Sequence, residues 1–244
     1  MTSTLPTLSA RRSALFLDFD GTLAELASRP DAVQIPPDLP VLLDALHRRL
    51  DGALAIVTGR ARADLQRWLP VQRWPGAFEH GAVHVGADGT ERVAGGADLR
   101  SVTALARDFA ARHEGLILEV KQTSLSLHFR LNPGLGPACV DLLARAIEHQ
   151  DGLRLMSGKA VVEVKPAHVG KGRAIAAFMA EPPFTGRQPC FAGDDVTDED
   201  GFAAVQALGG EAIKVGDGPT RAQRRCPNPQ ALRAWLHHAL ETRA

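Results

Sequence analysis

The sequence predicts an α/β fold, with a Rossmann-like parallel sheet as its core and a small α/β unit inserted into it. Three observations carry this. Short apolar runs alternate with helical stretches, the pattern of a parallel sheet covered by helices. Three of these runs end in acids or a hydroxyl, where open α/β sheets build their sites. In the middle the chain switches to hairpin-like alternation and then back.

The elements follow in order. The apolar run at 14–17 is a buried strand that delivers Asp18-Phe19-Asp20-Gly21-Thr22, and Gly21 permits the tight turn that brings Asp20 back. Residues 38–50 carry Leu39, Leu42, Leu43, Leu46 and Leu50 at helical spacing, with Pro36-Pro37 ahead. Gly52 ends that helix, and the strand 53–57 delivers Thr58-Gly59-Arg60. A helix is expected at 99–113, then strands at 115–121 and 124–130 joined at Gln122-Thr123. After Asn132-Pro133-Gly134 come a helix at 137–149 and a second hairpin, 153–156 with 160–164, turning at Ser157-Gly158. The parallel pattern returns with a helix at 170–179 and a strand at 190–192. Next come the acidic run 194–200, a strand at 211–215, and a closing helix at 229–240 with Leu232, Trp235, Leu236 and Leu240 on one face. The expected division is a core of 1–97 with 167–244, and an inserted unit of 98–166.

Composition narrows the function. Across 244 residues, Lys plus Arg and Asp plus Glu both total 28, so no net field draws the chain to nucleic acid or membrane. Any anion site is local. With 45% apolar and 23% charged residues the chain has the means for an ordinary core. Cys139, Cys190 and Cys226 form neither a CxxC pair nor a disulfide framework and read, like the tryptophans, as packing residues of a reducing compartment. Residues 1–10 lack a long apolar segment and no stretch is long enough to span a bilayer, so a cytoplasmic monomer is expected.

The three strand ends present Asp18 with Asp20, then Thr58, then Asp194 with Asp195, while Lys171 opens a helix in Gly170-Lys171-Gly172. Hard carboxylate oxygens with room for water suit Mg²⁺, and a metal with a lysine lets an anionic nucleophile approach a phosphate. Each feature alone has a plain reading: an Asp-Gly turn, a strand-to-helix turn, a solvated lysine, an acidic helix start. Jointly those readings do not explain why such residue types fall at successive strand ends.

These motifs resemble those of the haloacid dehalogenase (HAD) superfamily of phosphatases, matched at Asp18-Phe19-Asp20-Gly21-Thr22, Thr58, Lys171 and Gly193-Asp194-Asp195. The resemblance implies that Asp18 attacks phosphorus to form an aspartyl-phosphate and Asp20 protonates the leaving oxygen, then activates water. It further implies Mg²⁺ held by the Asp18 carboxylate, the Asp20 backbone carbonyl and the Asp194 carboxylate, with Asp195 and Asp198 in support.

The inserted unit has a second pattern. In 124–130 polar and apolar residues alternate, which puts Ser124, Ser126, His128 and Arg130 on one face. Glu119 and Lys121 share parity on the preceding strand, as do Glu163 and Lys165 on a later one. Such a surface suits a polyhydroxylated ligand, although half-buried sheets also face water this way.

Fuller similarity is to the trehalose-6-phosphate phosphatase family, through Glu119-x-Lys121-x-x-Ser124-x-x-x-His128-x-Arg130, Glu163-Val164-Lys165-Pro166, His168-Val169-Gly170-Lys171-Gly172 and the acidic run. This implies hydrolysis of trehalose 6-phosphate in trehalose biosynthesis. Lys121, Ser124, His128, Arg130, Glu163 and Lys165 would bind substrate, with the inserted cap closing over the sugar. Val83 and Val85 depart from an acid and an arginine in many relatives. His80 precedes glycine and reads as structural, while His47, His84 and His113 lack ligand spacing and are expected on solvated surfaces. Other capped sugar-phosphate phosphatases, acting on sucrose phosphate, a mannosyl phosphate ester or a hexose phosphate, share every core residue. A phospho-receiver is disfavoured by the cap and Asp20, and a sugar-phosphate sensor by the completeness of the motifs.

Overall fold

The computed structural model describes residues 4–27, 32–94, 98–158 and 160–241. Two compact units divide the chain: Met1–Arg92 with Gly170–Ala244, and Val93–Val169. The inserted unit thus starts a few residues before the expected 98 and runs a few past the expected 166, because its last strand reaches Pro166 and the turn after it stays attached through Val169.

The first unit holds an eight-stranded sheet. The chain enters through β1 (Ser13–Leu17), crosses by α1 (Leu39–Arg49) to β2 (Leu54–Val57), and passes the single-turn α2 (Arg62–Leu65) to β3 (Gly76–Phe78), β4 (Val83–Val85) and β5 (Glu91–Val93). In the second unit follow α3 (Arg100–Ala111), β6 (Ile117–Val120), β7 (Leu125–His128), α4 (Gly136–Ile147), β8 (Leu153–Gly158) and β9 (Val161–Pro166). The sheet is completed by α5 (Lys171–Met179), β10 (Gln188–Gly193), α6 (Glu199–Ala207), β11 (Glu211–Val215), β12 (Arg224–Cys226) and the closing α7 (Pro229–Glu241).

The spatial order is β12-β11-β10-β1-β2-β3-β4-β5, parallel from β12 through β3, with β4 antiparallel to β3. Central β1 is buried throughout. Phe16 packs its ring against Phe178 of α5 and against Phe184. Leu39, Leu42, Leu43 and Leu46 bury one face of α1 at i, i+3, i+4 and i+7. His47, Arg48 and Arg49 complement its carboxyl-terminal dipole. Burial of each such Phe or Leu stabilises the fold by roughly 1.5–3 kcal/mol. Because β10, β1 and β2 are parallel neighbours, their carboxyl ends lie side by side, and all three motifs meet at one edge.

The second unit is a four-stranded antiparallel sheet, β6-β7-β9-β8, with one apolar face. Val102 and Ala106 of α3 and Cys139 and Leu143 of α4 pack there against Leu125, Leu127, Leu153, Val162 and Val164. The β8–β9 turn does not fall at Ser157-Gly158. Pairing continues through Ser157 with Val162 and Gly158 with Val161, and Ala160, at φ 61°, takes the turn. Composition suggested the break, but a Ser-Gly pair can also finish a strand.

Candidate active site

The end of β1 places Asp18 over the sheet, buried, its backbone N–H bonded to the Ala192 carbonyl of β10. Gly21, at φ 72°, lets the chain double back. A Cβ there would lie 2.1 Å from Asp194 Oδ2, so the close approach of the two acidic loops requires glycine. From α5, the Lys171 ammonium donates to Asp18 Oδ1 at 2.7 Å and to Asp198 Oδ1 at 2.6 Å. Asp198 is fully buried, and its other oxygen accepts the backbone N–H groups of Asp194 and Asp195 at 3.0 and 2.9 Å. The latter bond belongs to a capping box between Asp195 and Asp198 that opens the turn into α6. Gly172 lets α5 approach this segment: a Cβ would stand 2.5 Å from the Asp200 carbonyl oxygen, and its N–H bonds the Asp200 carboxylate.

Oxygens of Asp18, Asp194 and Asp198 lie within 4.8 Å of one another, a group that could hold a metal ion. Burial raises the Asp18 carboxyl well above the usual range, against the pull of Lys171 and with a further push from Asp198 and Asp194. Burial, then repulsion from Asp198 and Asp195, moves Asp194 up to about 7. Burial alone would lower Lys171, but Asp18 and Asp198 outweigh it and hold the ammonium charged. Three carboxylates around one lysine leave negative charge that a hard divalent cation would neutralise, so the donor set fits Mg²⁺. Both oxygens of Asp198 are already engaged by Lys171 and backbone N–H groups, so its geometry is that of a supporting residue for Asp18 and Asp194.

Asp20 points its carboxylate elsewhere. Arg60 meets it in a two-pronged contact, Nε to Oδ2 at 2.6 Å and Nη2 to Oδ1 at 2.7 Å. Thr58, buried at the end of β2, accepts the Arg60 backbone N–H on Oγ1 at 3.2 Å, which leaves its hydroxyl proton free to be donated. Beyond β3, Glu79 and His80 are left-handed at φ 49° and 59°, and their N–H groups bond the Arg60 and Thr58 carbonyls. The His80 ring lies over Gly59, where a Cβ would stand 2.4 Å from Cε1, so His80 braces the Thr58 loop. Lys214 of β11 donates to the Asp194 backbone carbonyl.

Sequence reasoning gives no role to Arg60 or Lys214. Signals existed: Arg60 lies two residues past Thr58 at the same strand end, and Lys214 is a cation inside an apolar strand, which demands a partner. The expectation of solvated histidines fails at His84. It is buried with its ring centroid 4.0 Å from that of Phe178, and burial and then the nearby Arg92 lower its pKa. Val83 and Val85, its neighbours on β4, are buried packing residues.

In the second unit the register aligns Glu119, Ser126, Glu163 and Met156 in one row across the sheet. Glu119 Oε2 lies 2.9 Å from His128 Nε2, and the Lys121 ammonium lies 4.0 Å from Glu119 and 3.8 Å from Glu163. Ser124, Ser126, Glu163 and Lys165 are buried, so this is not a plain water-facing surface. Arg130 does not share the strand face. Pairing ends at His128 with Val161, the chain turns so that Asn132 N–H bonds the Phe129 carbonyl, and Arg130 is exposed in that turn.

Residues 16–226 match the trehalose-phosphatase family model. A curated trehalose-6-phosphate phosphatase of Escherichia coli K12 is 40% identical over 238 residues, which cover 95% of this chain and 87% of the relative. The fold resembles the C-terminal domain of Candida albicans trehalose-6-phosphate phosphatase, with TM-score 0.84, 21% identity and coverage of 96% and 94%. It also resembles a HAD-superfamily phosphatase from Bacteroides thetaiotaomicron, with TM-score 0.64, 15% identity and coverage of 98% and 99%.

Proposed function

Since the chain belongs to the trehalose-phosphatase family, and so to the phosphoric monoester hydrolases of the HAD fold, we propose that it hydrolyses trehalose 6-phosphate to trehalose and phosphate through an aspartyl-phosphate on Asp18. The observation that carries the mechanism is the convergence of Asp18, Lys171, Asp194 and Asp198 at adjacent strand ends. Asp18 attacks phosphorus as the P–O bond to the sugar breaks, and Asp20 gives its proton to the departing oxygen. Asp20 then takes a proton from water as that water's oxygen attacks the aspartyl-phosphate, which restores Asp18 and frees orthophosphate. Thr58 donates its hydroxyl to a phosphoryl oxygen, and Lys171 offsets the charge of nucleophile and phosphate together.

Asp18 and Asp194, with the Asp20 backbone carbonyl, would hold Mg²⁺, and Asp195 and Asp198 would orient them. When bound, the ion supplies Lewis-acid neutralisation of phosphate charge. The polar face of the second unit, with Lys121, Ser124, His128, Glu163 and Lys165, is assigned to the sugar, because its alternating donors and acceptors suit many hydroxyls. Arg130, from the adjoining turn, is assigned there as well. Three buried free cysteines fit a reducing, cytoplasmic setting. Among the described residues no helix is long and apolar enough to cross a membrane.

The test is phosphate release with Mg²⁺ across trehalose 6-phosphate, sucrose 6-phosphate, a mannosyl phosphate ester and glucose 6-phosphate. The expected outcome is the highest kcat/KM on trehalose 6-phosphate, and a preference for a hexose phosphate would overturn the substrate assignment.

A further inference from the structure

We propose that Arg60 is a positioning residue for proton transfer: it sets the place of the Asp20 carboxylate and so ties the leaving-group step to the Thr58 loop. The inference rests on the assignment of Asp20 as acid and base.

A two-pronged guanidinium contact fixes a carboxylate in plane and in distance, unlike a single hydrogen bond. Here both Asp20 oxygens are held, at 2.6 and 2.7 Å. The arginine is itself held. Its Cζ lies 4.8 Å from the Trp68 ring centroid and 5.6 Å from that of Phe19, within cation–π range. Its side chain is 13% exposed against 32% for Asp20, so the arginine is the anchored partner. Its backbone is bound into the Thr58 loop on both sides: the N–H bonds Thr58 Oγ1 and the carbonyl accepts the Glu79 N–H. A carboxylate at the end of β1 is thereby registered against a hydroxyl at the end of β2. Asp20 must surrender one of the two contacts when it carries the proton for the sugar oxygen, and the fork defines where it returns when it takes a proton from water.

The test separates leaving groups. Trehalose 6-phosphate expels an alkoxide that needs a proton, whereas p-nitrophenyl phosphate expels a phenolate that does not. A general acid contributes about 100- to 10,000-fold, so in kcat/KM, which covers transfer to Asp18 and not the water step common to both esters, Asp20→Asn is expected to lose at least about 100-fold on the sugar ester and far less on the aryl ester. Arg60→Ala is expected to lose about 10- to 100-fold on the sugar ester and under about 3-fold on the aryl ester. In the Asp20→Asn background it should cost almost nothing further. Arg60→Lys keeps the charge without the fork and should fall between, and it serves where the alanine variant melts early. Equal losses on both esters for the Arg60 variants, or a full additional loss in the double variant, would overturn the inference. If Asp20→Asn itself shows no leaving-group dependence, the assignment of Asp20 fails and the inference with it.

Discussion

The two units bury charge in different patterns. In the first, ionic groups converge on a point: Lys171 sits between Asp18 and Asp198, and Asp194 closes the cluster from the neighbouring strand end. In the second, they are spread along a sheet face, with Glu119 against His128 and Lys121 near both Glu119 and Glu163. A point of charge suits chemistry at one phosphorus atom; a row suits a ligand with many hydroxyls. Chemistry and selectivity are therefore expected to separate under mutation.

The largest break comes at the point. Asp18→Asn should lose at least about 10⁴-fold in turnover on every ester, with the circular dichroism spectrum unchanged. Residual turnover of aryl phosphate near the wild-type rate would contradict attack by Asp18. Lys171→Met should damage both activity and stability, because it strands the buried carboxylates of Asp18 and Asp198 without a cation. Loss of one partner from a buried ionic cluster costs about 3–5 kcal/mol, which chemical denaturation would measure, and added Mg²⁺ should recover part of it.

Variants on the row should act on one substrate class. Lys121→Ala and Glu163→Gln are expected to raise KM for trehalose 6-phosphate about 10- to 100-fold, in line with hydrogen bonds to charged groups, and to leave p-nitrophenyl phosphate turnover within about 2-fold. Equal effects on both esters would erase the division of labour. The smallest effect is in acid. Burial would raise the Glu119 carboxyl, but the His128 hydrogen bond and the Lys121 charge outweigh it and hold it below its ordinary value. Its stabilising contribution is thus present above the ordinary carboxylate range and lost as pH falls through the depressed value. Glu119→Gln should melt slightly lower than the parent near neutral pH, by under about 1 kcal/mol for a half-buried pair still screened by solvent, and the gap should close in acid.

The sequence made the point legible and the row only partly so. Asp18, Thr58 and Asp194 stand at the ends of apolar runs, and parallel pairing of β10, β1 and β2 brings such ends together. The short strands β3, β4 and β5, of three residues each, are too brief to display a period, so the antiparallel edge was not readable. Arg60 escaped because its partner lies 40 residues away and only the fold joins them. His84 was misjudged because an imidazole counts as polar in a sequence yet packs on Phe178 as an aromatic ring. Parity groups Glu119 with Lys121 and Glu163 with Lys165 within their strands, but the row through Ser126 depends on register that only the fold supplies, and alternation overreaches at Arg130, where the ladder has already ended.

One feature of the main sheet bears on how the molecule is born. Central β1 hydrogen-bonds β10, and Lys171 grips an aspartate 153 residues earlier, so during synthesis the first motif must wait for most of the chain to leave the ribosome. The inserted unit is contiguous, from Val93 to Val169, and the strand pairs of its four-stranded sheet, β6-β7-β9-β8, lie within that span. The inserted unit can thus fold while the acidic cluster exists only as disconnected segments, and the cluster of Asp18, Lys171, Asp194 and Asp198 is completed late in translation.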